Sequence, residues 1–243
     1  WLFAARSLTK RDNRFIYVDR PGFGYSGRDN SKWDAERQAD QARAYVKRIN
    51  GENLILVGHS WGALVAMSWA AKYPQEVKGV ISIAGLNMPL SGVSKIANDT
   101  GIFNLAYELY FTNVARKVDS GSIEKFARRM FKPQDIPKAY LDYLGSELSR
   151  RLSTIKANKN DLVVTSQALD KNFADYNHMK MPIEIIHGVE DFLLPITSQA
   201  VAFNDVIPNS RLHILPKVGH MAHHFAFKEI SESISYIRNF SLT

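Results

Sequence analysis

The stretch Leu54-Ile55-Leu56-Val57-Gly58-His59-Ser60-Trp61-Gly62-Ala63-Leu64-Val65-Ala66-Met67 decides how this chain is read. Its four opening aliphatic residues predict a buried strand, and the run from Ala63 to Tyr73 predicts a helix that stops before Pro74. Between them lies a G-x-S-x-G pentapeptide. Alone it fits an ordinary turn. With a strand before it and a helix after it, the serine falls on a sharp, strained turn at a helix N-terminus, its Oγ lifted off the sheet. Gly58 and Gly62 are expected there because a Cβ at either position is expected to collide with neighbouring backbone.

Outward from that turn, strands and helices alternate. Phe15 to Val18, Leu54 to Val57, Val80 to Ala84, Ile183 to Ile186 and Leu212 to Leu215 read as strands. Most are continuous aliphatic runs, as in parallel strands covered on both faces. Asp34 to Ile49, Ala63 to Tyr73, Thr197 to Val206 and Phe225 to Phe240 read as helices. Such alternation predicts an α/β fold with a mostly parallel sheet. One long stretch, Pro89 to His178, offers no strand. Phe103 to Phe111, Ile123 to Phe131 and Ala139 to Leu152 have helical spacing. We expect residues 89–178 to form an inserted helical cap, with core segments 1–88 and 179–243 on either side. The cap is expected over the C-terminal edge of the sheet, where open α/β sheets bind ligands.

Composition sets limits. The 243 residues contain no cysteine, which removes disulfides, zinc-thiolate sites and a cysteine nucleophile. No apolar run approaches a membrane span and no secretory leader is visible, so a cytoplasmic protein is expected. The net charge is +7, and between Arg116 and Lys159 eleven Lys/Arg face five Asp/Glu. No nucleic-acid motif accompanies the charge, so we read a solvated helical face and no nucleic-acid partner. No metal or organic cofactor is implied.

A serine hydroxyl needs a base, and the base needs an orienting carboxylate. Asp191, in Gly188-Val189-Glu190-Asp191, follows a predicted strand; Glu190 is the adjacent competitor. After the earlier strand, Gly85-Leu86-Asn87 carries no carboxylate. His220, in Val218-Gly219-His220-Met221, follows the last strand. Of the seven histidines it alone follows a strand directly in the right order. His223 and His224 rank below it, and His59 and His187 flank strand ends. The order Ser, Asp, His is the one that accompanies a nucleophile on a strand-to-helix turn.

Asp19-Arg20-Pro21-Gly22-Phe23-Gly24-Tyr25-Ser26, the pentapeptide, Gly188-Val189-Glu190-Asp191 and Gly219-His220 together resemble the α/β-hydrolase superfamily across essentially the whole chain. The resemblance implies an α/β-hydrolase fold with helices on both faces of the sheet. It implies Ser60 as nucleophile, His220 as general base and acid, Asp191 as orienting acid, and the Trp61 backbone N–H as an oxyanion donor. The family's second donor comes from an earlier loop, usually His-Gly, and none precedes Asp19. The N-terminal strands and that donor are therefore expected to lie outside this chain.

Serine at position 60 argues against the dehalogenases and epoxide hydrolases of this fold, which use aspartate. Proline iminopeptidases need cap carboxylates, which the basic balance disfavours. We expect a small acyl substrate: a carboxylic ester, thioester or lactone. His59, Tyr107 and Phe111 are candidate substrate-binding residues. A ligand-binding or receptor-like protein on the same scaffold, and a C–C bond hydrolase or perhydrolase, are the alternatives.

Overall fold

The structure, a computed structural model, describes residues 1, 8, 13–91, 120–144 and 151–241. Four strands form a parallel sheet in chain order: β1 (Leu54–His59), β2 (Val77–Ile83), β3 (Ile183–Gly188) and β4 (Ser210–Leu215). Leu56 pairs with Val80, Ile81 with Glu184, and Ile185 with Leu212. The α/β-hydrolase fold expected from the sequence is thus present, with a mostly parallel sheet covered on both faces.

The period of two along each strand divides the core. Val80, Ile183 and Ile185 join one cluster, with α1 (Ala35–Arg48) and α2 (Trp61–Lys72). Ile81, Ile83 and Ile186 join the other, with Ile230, Ile234 and Ile237 of the closing helix. Each such side chain, fully buried, contributes about 1.5–3 kcal/mol. In α1, Asp34 caps the first turn by accepting from the Arg37 N–H at 2.9 Å, and Lys47 and Arg48 complement the helix dipole at the other end. Helix α2 is apolar nearly all round because it is sandwiched between the sheet and other helices.

The predicted strand Phe15 to Val18 is a correction. These residues are not in a strand. Phe15 packs on one core cluster and Ile16 on the other, but Tyr17 and Val18 are exposed, and no ladder of hydrogen bonds forms among the described residues. An apolar run does not make a strand by itself; a strand also needs a hydrogen-bonding neighbour.

In the connection between β2 and β3, the structure describes α3 (Ser120–Phe131), α4 (Lys138–Leu144) and α5 (Leu152–Asp175). The helix expected over Ala139 to Leu152 does not run through: Arg151 is extended, and Leu152 opens a separate 24-residue helix. The helix expected over Phe103 to Phe111 lies outside the described residues. Helix α5 packs on α1 and α2 through polar residues. The Trp61 indole N–H donates to Thr165 Oγ1 at 3.0 Å, and Ser68 Oγ meets Asn172 Oδ1 at 3.0 Å. Buried Asp161 accepts from Arg20 at 2.5 Å, Arg28 at 2.7 Å and Gln38 at 2.9 Å. This ties the Asp19–Ser26 loop to α5. After β3 come a π-helical turn (Thr197–Val201) and α6 (Ala202–Val206); α7 (Phe227–Asn239) closes the fold. Among the described residues no helix is long and apolar enough to cross a membrane.

Candidate active site

Three loops at the C-terminal ends of β1, β3 and β4 bring the site together. Ser60 follows β1 with φ 54° and ψ −123°, a conformation that costs a non-glycine residue of order 1–3 kcal/mol. Main-chain bonds hold it there: Ser60 N–H to the Ile83 carbonyl at 3.0 Å, and Ala63 N–H to the Ser60 carbonyl at 2.9 Å. A Cβ on Gly58 would come within 2.4 Å of the Gly62 carbonyl oxygen, so the turn requires that glycine. The expectation for Gly62 is corrected. Beyond its chain neighbours and the backbone of its own helix, a Cβ there meets no described atom within 4 Å.

Serine is a favoured N-cap residue, yet Ser60 makes no cap bond to α2. Its Oγ lies instead 3.1 Å from His220 Nε2. His220 Nδ1 is 2.8 Å from Asp191 Oδ2. A carboxylate only accepts, so Nδ1 carries the proton and Nε2 of the neutral ring is the acceptor facing Ser60. Asp191 Oδ1 accepts from the Leu193 and Leu194 N–H groups, both at 3.0 Å. Burial opposes the Asp191 charge, but the hydrogen bond and charge of His220 and the Leu194 N–H outweigh it and hold the carboxyl below the usual aspartate range. Glu190, the competitor, is exposed; its N–H bonds the Val218 carbonyl at 2.9 Å. Trp61 is the first residue of α2, so its N–H has no acceptor within the helix and stands beside Ser60.

His59 sits against this relay. Its Nε2 lies 2.9 Å from the His220 main-chain oxygen, which only accepts, so Nε2–H is the donor. Burial, then repulsion from His220, pushes its pKa down to about 3. The rings of His59 and His220 are 5.0 Å apart, those of His59 and His223 4.1 Å, and those of His223 and His224 4.3 Å. Burial, followed by repulsion from His59 and His224, pushes His223 well below its ordinary value; burial takes His224 to about 4. All three are therefore neutral near pH 7. His187, on β3, bonds the Leu194 carbonyl through Nε2 at 2.8 Å and lies 3.4 Å from Asp191 Oδ2. Tyr107 and Phe111 lie outside the described residues. Among the described residues no cluster of His, Asp or Glu could hold a metal ion.

The partners of these loops carry no signature in the sequence. Thr165 on α5 holds the Trp61 indole, and Gln134 holds the loop before His220. An isolated threonine on a helix, or a glutamine in a turn, carries no local signal of such a task.

The family model described as alpha/beta hydrolase fold matches residues 1–227. A cis-3-alkyl-4-alkyloxetan-2-one decarboxylase of Shewanella oneidensis is 24% identical, over 99% of this chain and 78% of that protein. A proline iminopeptidase of Flavobacterium johnsoniae is 37% identical over 28% of this chain and 24% of its own length. Several curated relatives, among them that peptidase, are matched over less than a third of their length. Among solved structures, an esterase of Exiguobacterium antarcticum has a TM-score of 0.72 at 17% identity, over 98% of this chain and 86% of that one. From the matched model and the geometry together, the chain belongs to the α/β-hydrolase fold family.

Proposed function

We propose that this chain is a serine hydrolase of small carboxylic esters, acting through Ser60, His220 and Asp191. The observation that carries the reading is the continuous relay: Ser60 Oγ at 3.1 Å from His220 Nε2, and His220 Nδ1 at 2.8 Å from Asp191. Ser60 attacks the carbonyl carbon as its proton passes to His220. Asp191 steadies the imidazolium, and the Trp61 N–H stabilises the oxyanion. Collapse expels the alcohol, which takes the proton from His220. Water then attacks the acyl-enzyme, with His220 again as base, and releases the acid. In this reading the segment 89–178 is a cap that encloses the acyl group.

Turnover of a p-nitrophenyl ester tests the proposal. Ser60→Ala is expected to lower kcat by on the order of 10⁴-fold or more. Wild-type turnover by that variant would overturn the reading. The names of the two relatives make a lactone and a prolyl peptide the substrates to run beside the ester.

A further inference from the structure

The loop between β4 and His220 is gripped from two sides. On one side lies the Asp191 loop: Val189 N–H bonds the Leu215 carbonyl at 3.0 Å, and Glu190 N–H the Val218 carbonyl at 2.9 Å. On the other side lies the turn between α3 and α4. There the Gln134 side chain spans Val218. Its Nε2–H donates to the Lys217 carbonyl, and its Oε1 accepts from the Gly219 N–H at 3.3 Å. The amide can sit in only one orientation, because a carbonyl only accepts and a backbone N–H only donates. The two bonds take up main-chain groups on a loop where Lys217 stands at φ 57°.

Two independent contacts put the same turn on the same loop. A Cβ on Gly219 would fall 1.8 Å from the Lys132 carbonyl oxygen, so glycine before His220 is what lets the turn approach. Just beyond His220, Met221 is buried with Phe131 and Ile136, and Phe131 and Tyr140 pack on His224 with ring centroids 5.0 and 5.2 Å apart. Arg129, on α3, lies over Phe192 of the acid loop at 4.7 Å. The α3–α4 segment therefore touches the loops of both His220 and Asp191, but contributes nothing to the Ser60–His220–Asp191 hydrogen bonds.

We propose that Gln134 is a positioning residue: through its paired bonds to Lys217 and Gly219 it fixes the main chain that aims His220 at Ser60. This rests on the nucleophile reading above. It makes the α3–α4 segment part of the catalytic geometry rather than only a cover, because a shift of that turn would be transmitted directly to the base. His59 supports the same loop from below through the His220 carbonyl. Gln134 supplies hydrogen-bonded support from the connection between β2 and β3.

The test compares wild type, Gln134→Met, Gln134→Glu and the neighbouring control Asp135→Asn. Met keeps the length and loses both bonds; Glu keeps an acceptor for the Gly219 N–H. The readouts are the rate of Ser60 labelling by a fluorophosphonate, kcat and KM for a p-nitrophenyl ester, and Tm. The proposal expects Gln134→Met to lower kcat and the labelling rate about 10- to 100-fold, the scale of a misplacement near 1 Å, with KM nearly unchanged. Gln134→Glu, which sets a carboxylate oxygen against the Lys217 carbonyl, should also lower both rates, and Asp135→Asn should match wild type. If Met does not fold, the Glu variant still reads the Lys217 bond. Wild-type labelling and kcat in both Gln134 variants would overturn the proposal. So would a fall in Tm with wild-type rates per folded molecule, which would make Gln134 merely structural. Wild-type protein that is not labelled at Ser60 would instead overturn the nucleophile reading.

Discussion

Two buried carboxylates belong to or follow β3, and each binds a histidine from the β4 side. Glu184, within the strand, takes Arg211 Nε at 2.7 Å and Nη2 at 2.8 Å, His213 Nε2 at 2.8 Å and Ser233 Oγ at 2.9 Å. Asp191, in the loop beyond the strand, takes two backbone N–H groups and His220 Nδ1. The difference lies in which ring nitrogen is used and what faces the other. His220 spends Nδ1 on its carboxylate and turns Nε2 to a serine held in a strained turn. At Glu184 four donors share the carboxylate, and the hydroxyl present, Ser233, bonds to the carboxylate itself rather than to the histidine. A carboxylate–histidine pair is thus a common structural unit. It becomes a candidate for catalysis when the second nitrogen meets a hydroxyl at the ligand-binding edge of the sheet.

The comparison can be broken by paired substitutions. Asp191→Asn should keep the fold and lower esterase kcat by about 10⁴-fold, because the imidazole then adopts the wrong tautomer for accepting from Ser60. An Asp191→Asn enzyme within tenfold of wild type would show that the pair is structural on both sides. Glu184→Gln should do the reverse. It should cost roughly 1.5–3 kcal/mol in denaturant unfolding, the scale of charge-assisted hydrogen bonds, and leave kcat per folded molecule unchanged.

Acid should separate the regions further. Burial opposes the Glu184 charge, but the bonds from His213, Arg211 and Ser233 outweigh it and hold the carboxyl at about 2. A depressed carboxylate contributes stability above its unfolded value, near 4.5, and loses it as pH falls toward 2. The histidines beside His220 act at higher pH. His59, His223 and His224 have folded values below the unfolded value near 6.5. Each therefore favours the folded state above pH 6.5 and costs about 1.4 kcal/mol per pH unit below it. Urea midpoints should start to fall below pH 6.5. His223→Gln should reduce the loss between pH 6.5 and 5.5 by about 1 kcal/mol, because the unfolded imidazole is already half protonated at pH 6.5. Unchanged pH dependence in that variant would mean that the ring is not held neutral.

The same contrast explains what could be read without a structure. The sheet was legible in Leu54–Val57, Val80–Ala84, Ile183–Ile186 and Leu212–Leu215 because buried parallel strands are continuous aliphatic runs. Ser60, Asp191 and His220 were legible as candidates because each follows such a run in a fixed order. Phe15 to Val18 misled because its apolar run has no paired neighbour among the described residues, and Tyr17 and Val18 are exposed. Helix α5 was missed because Asp161, Thr165 and Asn172, on its buried side, bond polar groups of the core and break the apolar period. Glu184 and Gln134 left no trace for a related reason: a buried polar group is recognised by its partners, and these are 27 to 85 residues away in sequence.

In the proposed mechanism Ser60 is the nucleophile of the Asp191–His220 relay. Fluorophosphonate labelling followed by peptide mass spectrometry tests it most directly. One phosphonyl adduct per chain is expected, on Ser60, formed far more slowly in Asp191→Asn and absent from Ser60→Ala. No adduct on folded wild-type protein, or an adduct that persists when Ser60 is replaced by alanine, would contradict it.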